Sequence, residues 1–129
     1  VNNILSQLVD FQMLFEMDGK NINNYIVYDD DNVWPLELSS GMERFISSLA
    51  IRVGLINVSN LPRTNFLAID EGWGTMDSDN INSVYSLFQY LKSQFQFALI
   101  VSHIDSMRDA VDSLLEIKKE NNFSNIKFD

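Results

Sequence analysis

Two carboxylates stand side by side at the end of an apolar run, Phe66-Leu67-Ala68-Ile69-Asp70-Glu71, and the chain's single histidine follows a second such run, in Ser102-His103. Asp70 has the character of a ligand for hydrated Mg²⁺, an ion that takes one or two carboxylates and completes its octahedron with water and phosphate oxygens. Glu71 could orient or deprotonate an attacking water. A third group, Ser39-Ser40-Gly41-Met42-Glu43, opens a helical pattern. Unpaired backbone N–H groups and the positive end of the helix dipole suit such a place to phosphate, with Ser40 adding a hydroxyl donor. The same residues also spell a capping box, Ser39 or Ser40 capping and Glu43 completing it. The two readings are compatible.

The elements that must position these groups follow from hydrophobic periodicity. A short apolar run bounded by turn formers is the pattern of a central parallel strand, and residues 66–70 and 97–101 both fit it. Between them Ile81, Val84, Tyr85 and Phe88 recur at i, i+3, i+4 and i+7, one face of a helix. The unit is therefore βαβ. Such crossovers join parallel neighbours with right-handed connections, and ligands bind beyond the carboxyl ends of the strands. Asp70, Glu71 and His103 are thus expected on one sheet edge. Upstream, Ile46, Leu49, Ala50 and Val53 share a face of a helix expected from about residue 42 to residue 57. An antiparallel hairpin is expected over residues 11–28, turning at Asp18-Gly19. A terminal hairpin should pair residues 113–118 with 125–128 across Glu120-Asn121-Asn122. The fold class is α/β, a mixed sheet with parallel core strands, flanking helices and β-hairpins.

Composition narrows the function classes. With 129 residues and 46% hydrophobic content, the chain can build one core of ordinary size, so a single domain over residues 1–129 suffices. Zero cysteines exclude disulfides, thiolate metal sites and cysteine nucleophiles, and one histidine disfavours a zinc hydrolase. No run of about 18 apolar residues and no charged-then-apolar leader is visible, so no membrane partner and an intracellular location, cytoplasm or the nucleus of a eukaryotic host, are expected. A formal charge of −9, from 18 carboxylates against nine Lys and Arg, speaks against a general DNA-binding surface. Asp29-Asp30-Asp31 reads as a solvated turn, and Pro35 and Pro62 as loop residues.

In this order the motifs resemble those of ABC-type ATPases. Ser39-Ser40-Gly41-Met42-Glu43 looks like the signature motif, Phe66 to Glu71 like the Walker B strand, Gly74-Thr75-Met76-Asp77 like the D-loop, and His103 like the switch histidine. Ser-Gly-x-Glu-Arg-Phe followed by Leu49-Ala50-Ile51-Arg52, together with Asp70-Glu71-Gly72-Trp73-Gly74-Thr75-Met76-Asp77, most resembles the SMC-like ATPases of DNA break repair, including bacterial SbcC and its phage and viral relatives. The likeness runs from about residue 11 onward and corresponds to the C-terminal lobe of the ATPase head. Residues 1–10 are compatible with the end of a coiled coil. A P-loop needs G-x-x-x-x-G-K-[ST]; the Gly19-Lys20 pair has Leu14 in place of the first glycine and Asn21 in place of Ser or Thr. Met42 stands where the family usually has a second glycine.

The resemblance implies a divided site. ATP and Mg²⁺ would be held by a P-loop in an N-terminal lobe, with Asp70 on the metal, Glu71 on the water and His103 on the γ-phosphate. Ser39, Ser40, Gly41, Met42 and Glu43 would close over ATP held by a second head, with Asp77 at that homodimer interface. Through a coiled coil, ATP-driven closure would act on DNA and on a metallophosphoesterase nuclease partner, and this lobe alone would be inactive. Two alternatives differ in kind: a metal-dependent nuclease or phosphatase built on Asp70, Glu71, His103 and Asp105, and a non-catalytic structural lobe.

Overall fold

Strands β4 (Phe66–Asp70) and β5 (Phe97–Val101) pair in parallel, Phe66 opposite Phe97 and Asp70 opposite Val101. The computed structural model describes residues 1–70, 73 and 81–128. Helix α3 (Ile81–Gln94) makes the crossover. Both strands have the bounds that their apolar runs predict.

Three further units surround this pair. Strands β1 (Gln12–Asp18), β2 (Asn21–Asp29) and β3 (Asn32–Pro35) form an antiparallel sheet in that order. Gly19 at the first turn has φ +61°, in the left-handed region where a residue without Cβ pays no steric penalty. At the second turn, Asp29 Oδ1 accepts from Asp31 N–H at 3.0 Å and from Asn32 Nδ2 at 2.7 Å, so the aspartate run is a solvated turn. Strand β3 is a third strand beyond the expected hairpin, and Pro35 ends it rather than lying in a loop. A four-residue edge strand ending in proline carries little periodic signal. Helix α1 (Asn2–Leu5) buries Ile4 and Leu5 in the core, and its Asn2 amide bonds both backbone groups of Met13, extending the free edge of β1 by side-chain mimicry.

Helix α2 (Gly41–Val58) buries Ile46, Leu49, Ala50 and Val53, the expected face, together with Ser47. Helix α3 turns a slightly different face inward: Val84, Leu87, Phe88 and Leu91 are buried while Tyr85 is exposed. After β5 a 3₁₀ turn, Asp105–Ala110, leads to the hairpin β6 (Leu115–Glu120) and β7 (Phe123–Phe128). This hairpin is longer than expected because its turn is only Asn121-Asn122, both at positive φ (50° and 65°), the geometry of a two-residue primed turn. Arg108 bonds Asp105 and Glu116, fastening the 3₁₀ turn to β6. Among the described residues, no helix is long and apolar enough to cross a membrane.

Candidate functional site

Parallel register decides where the acidic strand end lies. Because Asp70 pairs with Val101, the chain leaves β4 and β5 at the same edge, and Ser102-His103 emerges beside Asp70. Ser102 Oγ accepts the Ile104 N–H at 3.1 Å and sits 3.2 Å from Met107 Sδ. This local turn fixes the backbone on both sides of His103, whose side chain is exposed. Glu71 and Asp77, like the rest of the Gly74-Thr75-Met76-Asp77 motif, lie outside the described residues.

Alternation along the strands also decides which way Asp70 faces. Leu67, Ile69, Ala98 and Ile100 turn toward the core, whereas Phe66, Ala68 and Asp70 share the other face with Phe97, Leu99 and Val101. That second face is uncovered: Phe97 is 58% and Leu99 56% exposed, and Phe66 stacks on Phe97 with centroids 5.5 Å apart. A parallel sheet is ordinarily covered on both faces. Asp70 therefore looks into the side from which a layer is missing.

The signature residues form a second patch. Ser40 is the N-cap of α2: its Oγ accepts the Glu43 N–H at 3.2 Å, and Glu43 Oε2 accepts the Ser40 N–H at 2.6 Å, a complete capping box. The buried Ser39 turns its hydroxyl the other way, donating to Leu36 O at 2.6 Å and closing the 3₁₀ turn Leu36–Leu38. Partial desolvation opposes ionisation of Glu43, but the bonds from Ser40 and Tyr28 outweigh it and hold its carboxyl below the ordinary carboxylate range. Ser40, Met42 and Glu43 line a cleft of about 510 Å³ with Asp10, Phe11 and Tyr28; neither Asp70 nor His103 takes part in it. Sequence patterns alone do not single out Tyr28, whose hydroxyl donates to Glu43 Oε1 at 2.8 Å across 15 residues of chain. A tyrosine ending an alternating strand was the signal available.

Trp73 joins the two patches. Its ring is buried, tilted against Phe45 of α2 at 4.7 Å and edge-on to Phe88 of α3 at 5.5 Å. The segment that begins at Glu71 is thus anchored two residues later on the helix that Ser40 caps.

A resident metal can be weighed against these donors. Among the described residues no three acidic or histidine side chains gather in a group that could hold an ion, so Asp70, His103 and Asp105 do not form a self-sufficient centre. A lone carboxylate does fit Mg²⁺ held mainly by water and phosphate oxygens.

No protein-family model matches the chain. The chain is 34% identical over 142 aligned residues to the uncharacterized protein R555 of Acanthamoeba polyphaga mimivirus, covering 98% of this chain and 10% of that protein. It is 31% identical over 93 residues to SbcC, the larger-named component of the nuclease SbcCD, from Staphylococcus aureus strain JH9, covering 69% of this chain and 9% of SbcC. The chain thus spans about a tenth of the length of these relatives. Among solved structures, an SMC ATPase studied for ATP-driven dimerization and DNA-stimulated activation superposes with a TM-score of 0.79 at 14% identity, over 98% of this chain and 79% of that one. The SMC head domain of Thermotoga maritima gives 0.69 at 23% identity, over 98% and 44%.

Proposed function

Since this chain is homologous to a segment of SbcC and carries the SMC ATPase head fold, we propose that it is the C-terminal lobe of an ATP-hydrolysing head. The observation that carries this reading is Asp70: it leaves a parallel strand beside His103 and looks into the uncovered face of the sheet, where a second lobe would sit. The terminal hairpin supports the same reading. Leu115, Ile117, Ile126 and Phe128 lie on one of its faces and are all exposed, although a two-stranded hairpin is marginal in water without a covering layer.

A P-loop-bearing N-terminal lobe would bind ATP and Mg²⁺, which supply the scissile phosphate bond and neutralise its developing charge. Asp70 supports the metal. Glu71 orients and deprotonates the attacking water, and His103 contacts the γ-phosphate. Ser40 and Gly41, with Met42 and Glu43 behind them and Asp77 at the interface, face nucleotide held by a second copy of the head. The buried Ser39 supports the turn that precedes them. ATP thereby joins two heads and hydrolysis parts them. In the complete protein this cycle would regulate the processing of DNA ends in recombination and repair, with a metallophosphoesterase nuclease as partner, inside the cell. The naming of the bacterial relative as part of a nuclease supports that assignment.

The test is hydrolysis and ATP-dependent dimerisation of this lobe combined with its P-loop lobe. Hydrolysis should require both lobes, Glu71→Gln should abolish turnover while the dimer persists, and Ser40→Arg should block dimerisation. Metal-dependent phosphoester cleavage by this lobe alone would overturn the reading.

A further inference from the structure

The signature turn is braced from outside its own helix. Within the capping box Glu43 spends Oε2 on the Ser40 amide at 2.6 Å, which leaves Oε1 to be directed by something else. Tyr28, on the central strand of the β1–β3 sheet, donates to that oxygen at 2.8 Å. Its ring is itself held, stacked on Trp34 at 5.4 Å and tilted against Phe11 at 5.6 Å, and Phe11 is buried. A rigid aromatic stack thus ends in one hydroxyl that fixes one carboxylate, and that carboxylate fixes the amide of Ser40.

We infer that Tyr28 is a positioning residue for the nucleotide-facing turn: through Glu43 it sets the direction of the Ser40 hydroxyl and the Gly41 amide. The inference rests on the reading of those two groups as nucleotide contacts. A glutamate at the third helical position has several staggered rotamers, and only some carry a carboxylate back to the cap amide. Tyr28 selects among them before any nucleotide arrives, so the ordering cost is met in the fold rather than on binding. The link also ties the β1–β3 sheet to the start of α2, so displacement of the sheet is felt at the signature turn. Met42 makes such bracing more consequential, because a side chain where the family has glycine leaves less freedom for the backbone to adjust to a phosphate.

The experiment uses the complete ATPase and ATP. Tyr28→Phe keeps the stack on Trp34 and removes only the hydroxyl. It should raise the ATP and head concentrations needed for half-maximal dimerisation and turnover about three- to tenfold, the range for one bond to a charged group, while kcat at saturation stays at the wild-type value. In a Glu43→Ala background the same substitution should have no further effect. A role confined to folding would lower the thermal midpoint without this split between KM and kcat. Wild-type concentration dependence in Tyr28→Phe, a fall in kcat alone, or an equal effect in both backgrounds overturns the inference. Ser40→Arg separates the two levels. If it blocks closure and Tyr28→Phe behaves as wild type, the bracing role fails and the divided site stands; if Ser40→Arg closes normally, the reading of the signature turn fails.

Discussion

Trp73 offers the sharpest test of how the site is anchored. It is 1% exposed and packs on Phe45 of α2 and Phe88 of α3. A tryptophan buries about 150–250 Å², worth about 4–6 kcal/mol at about 25 cal/mol per Å². A compact unfolded state lowers that figure, and measured truncations of large aromatics cost about 3–5 kcal/mol. Trp73→Ala should therefore destabilise the chain by about 4 kcal/mol, a large share of the roughly 5–15 kcal/mol that holds a domain together. Trp73→Phe should cost about 1 kcal/mol, because it retains an aromatic partner for both rings. The lost indole N–H finds no acceptor among the described residues, so its removal orphans nothing there. Urea denaturation followed by far-UV circular dichroism reads both, with Trp34 fluorescence as an independent probe. At a slope of about 1.5 kcal/mol per M, the alanine variant's midpoint falls by about 2.5 M. A fall under about 0.5 M would remove Trp73 from the core, and equal losses for Phe and Ala would mean that the N–H is bonded.

Other perturbations read other parts of the structure. Glu43 has a lowered carboxyl, so its stabilising contribution is present above the ordinary carboxylate range and is lost as pH falls through the lowered value; acid denaturation curves should show this component, and Glu43→Gln should lack it. Tyr28, raised to about 12 first by burial and then by its bond to Glu43, contributes stability below pH 10 that is lost on the way to about 12; ultraviolet titration should show a late-ionising tyrosine that Tyr28→Phe removes. Asn122→Gly should stabilise the terminal hairpin by about 0.5–1 kcal/mol in thermal denaturation, since φ at this position is 65°. Leu99→Lys should change the stability of this chain by less than about 0.5 kcal/mol, the residue being 56% exposed, yet abolish hydrolysis by the completed head; wild-type turnover would show that this face stays open.

What the sequence conveyed and what it concealed have the same physical cause. β4 and β5 were legible because a central strand is apolar at every position, and that same property erased the distinction between their faces: nothing in Phe97-Ala98-Leu99-Ile100-Val101 says that Leu99 is uncovered and Ile100 is not. Helix α2 announced its face through Ile46, Leu49, Ala50 and Val53, whereas α3 offered two overlapping stripes. The one containing Tyr85 lost to the one containing Leu87 and Leu91, since the phenol keeps its hydroxyl in water. The capping box was readable from three-residue spacing. The bond from Tyr28 to Glu43 was not, because it joins elements that only tertiary packing brings together.

The uncovered surfaces bear directly on catalysis. A charged carboxylate on the apolar face of a sheet is costly once that face is covered, unless a cation or hydrogen bonds meet it. Asp70 occupies that position, in line with Ala68 and Phe66 and opposite Val101. While this lobe stands alone the carboxylate is solvated and inexpensive. When a second lobe covers Phe66, Phe97 and Leu99, water is displaced around Asp70, and a divalent cation brought with phosphate becomes the partner that restores its solvation. Lobe closure and metal capture would then be coupled: each would strengthen the other, and neither lobe would bind the ion well by itself. The lack of a self-sufficient ligand cluster among the described residues agrees with a centre of that kind, assembled only when both lobes and nucleotide are present.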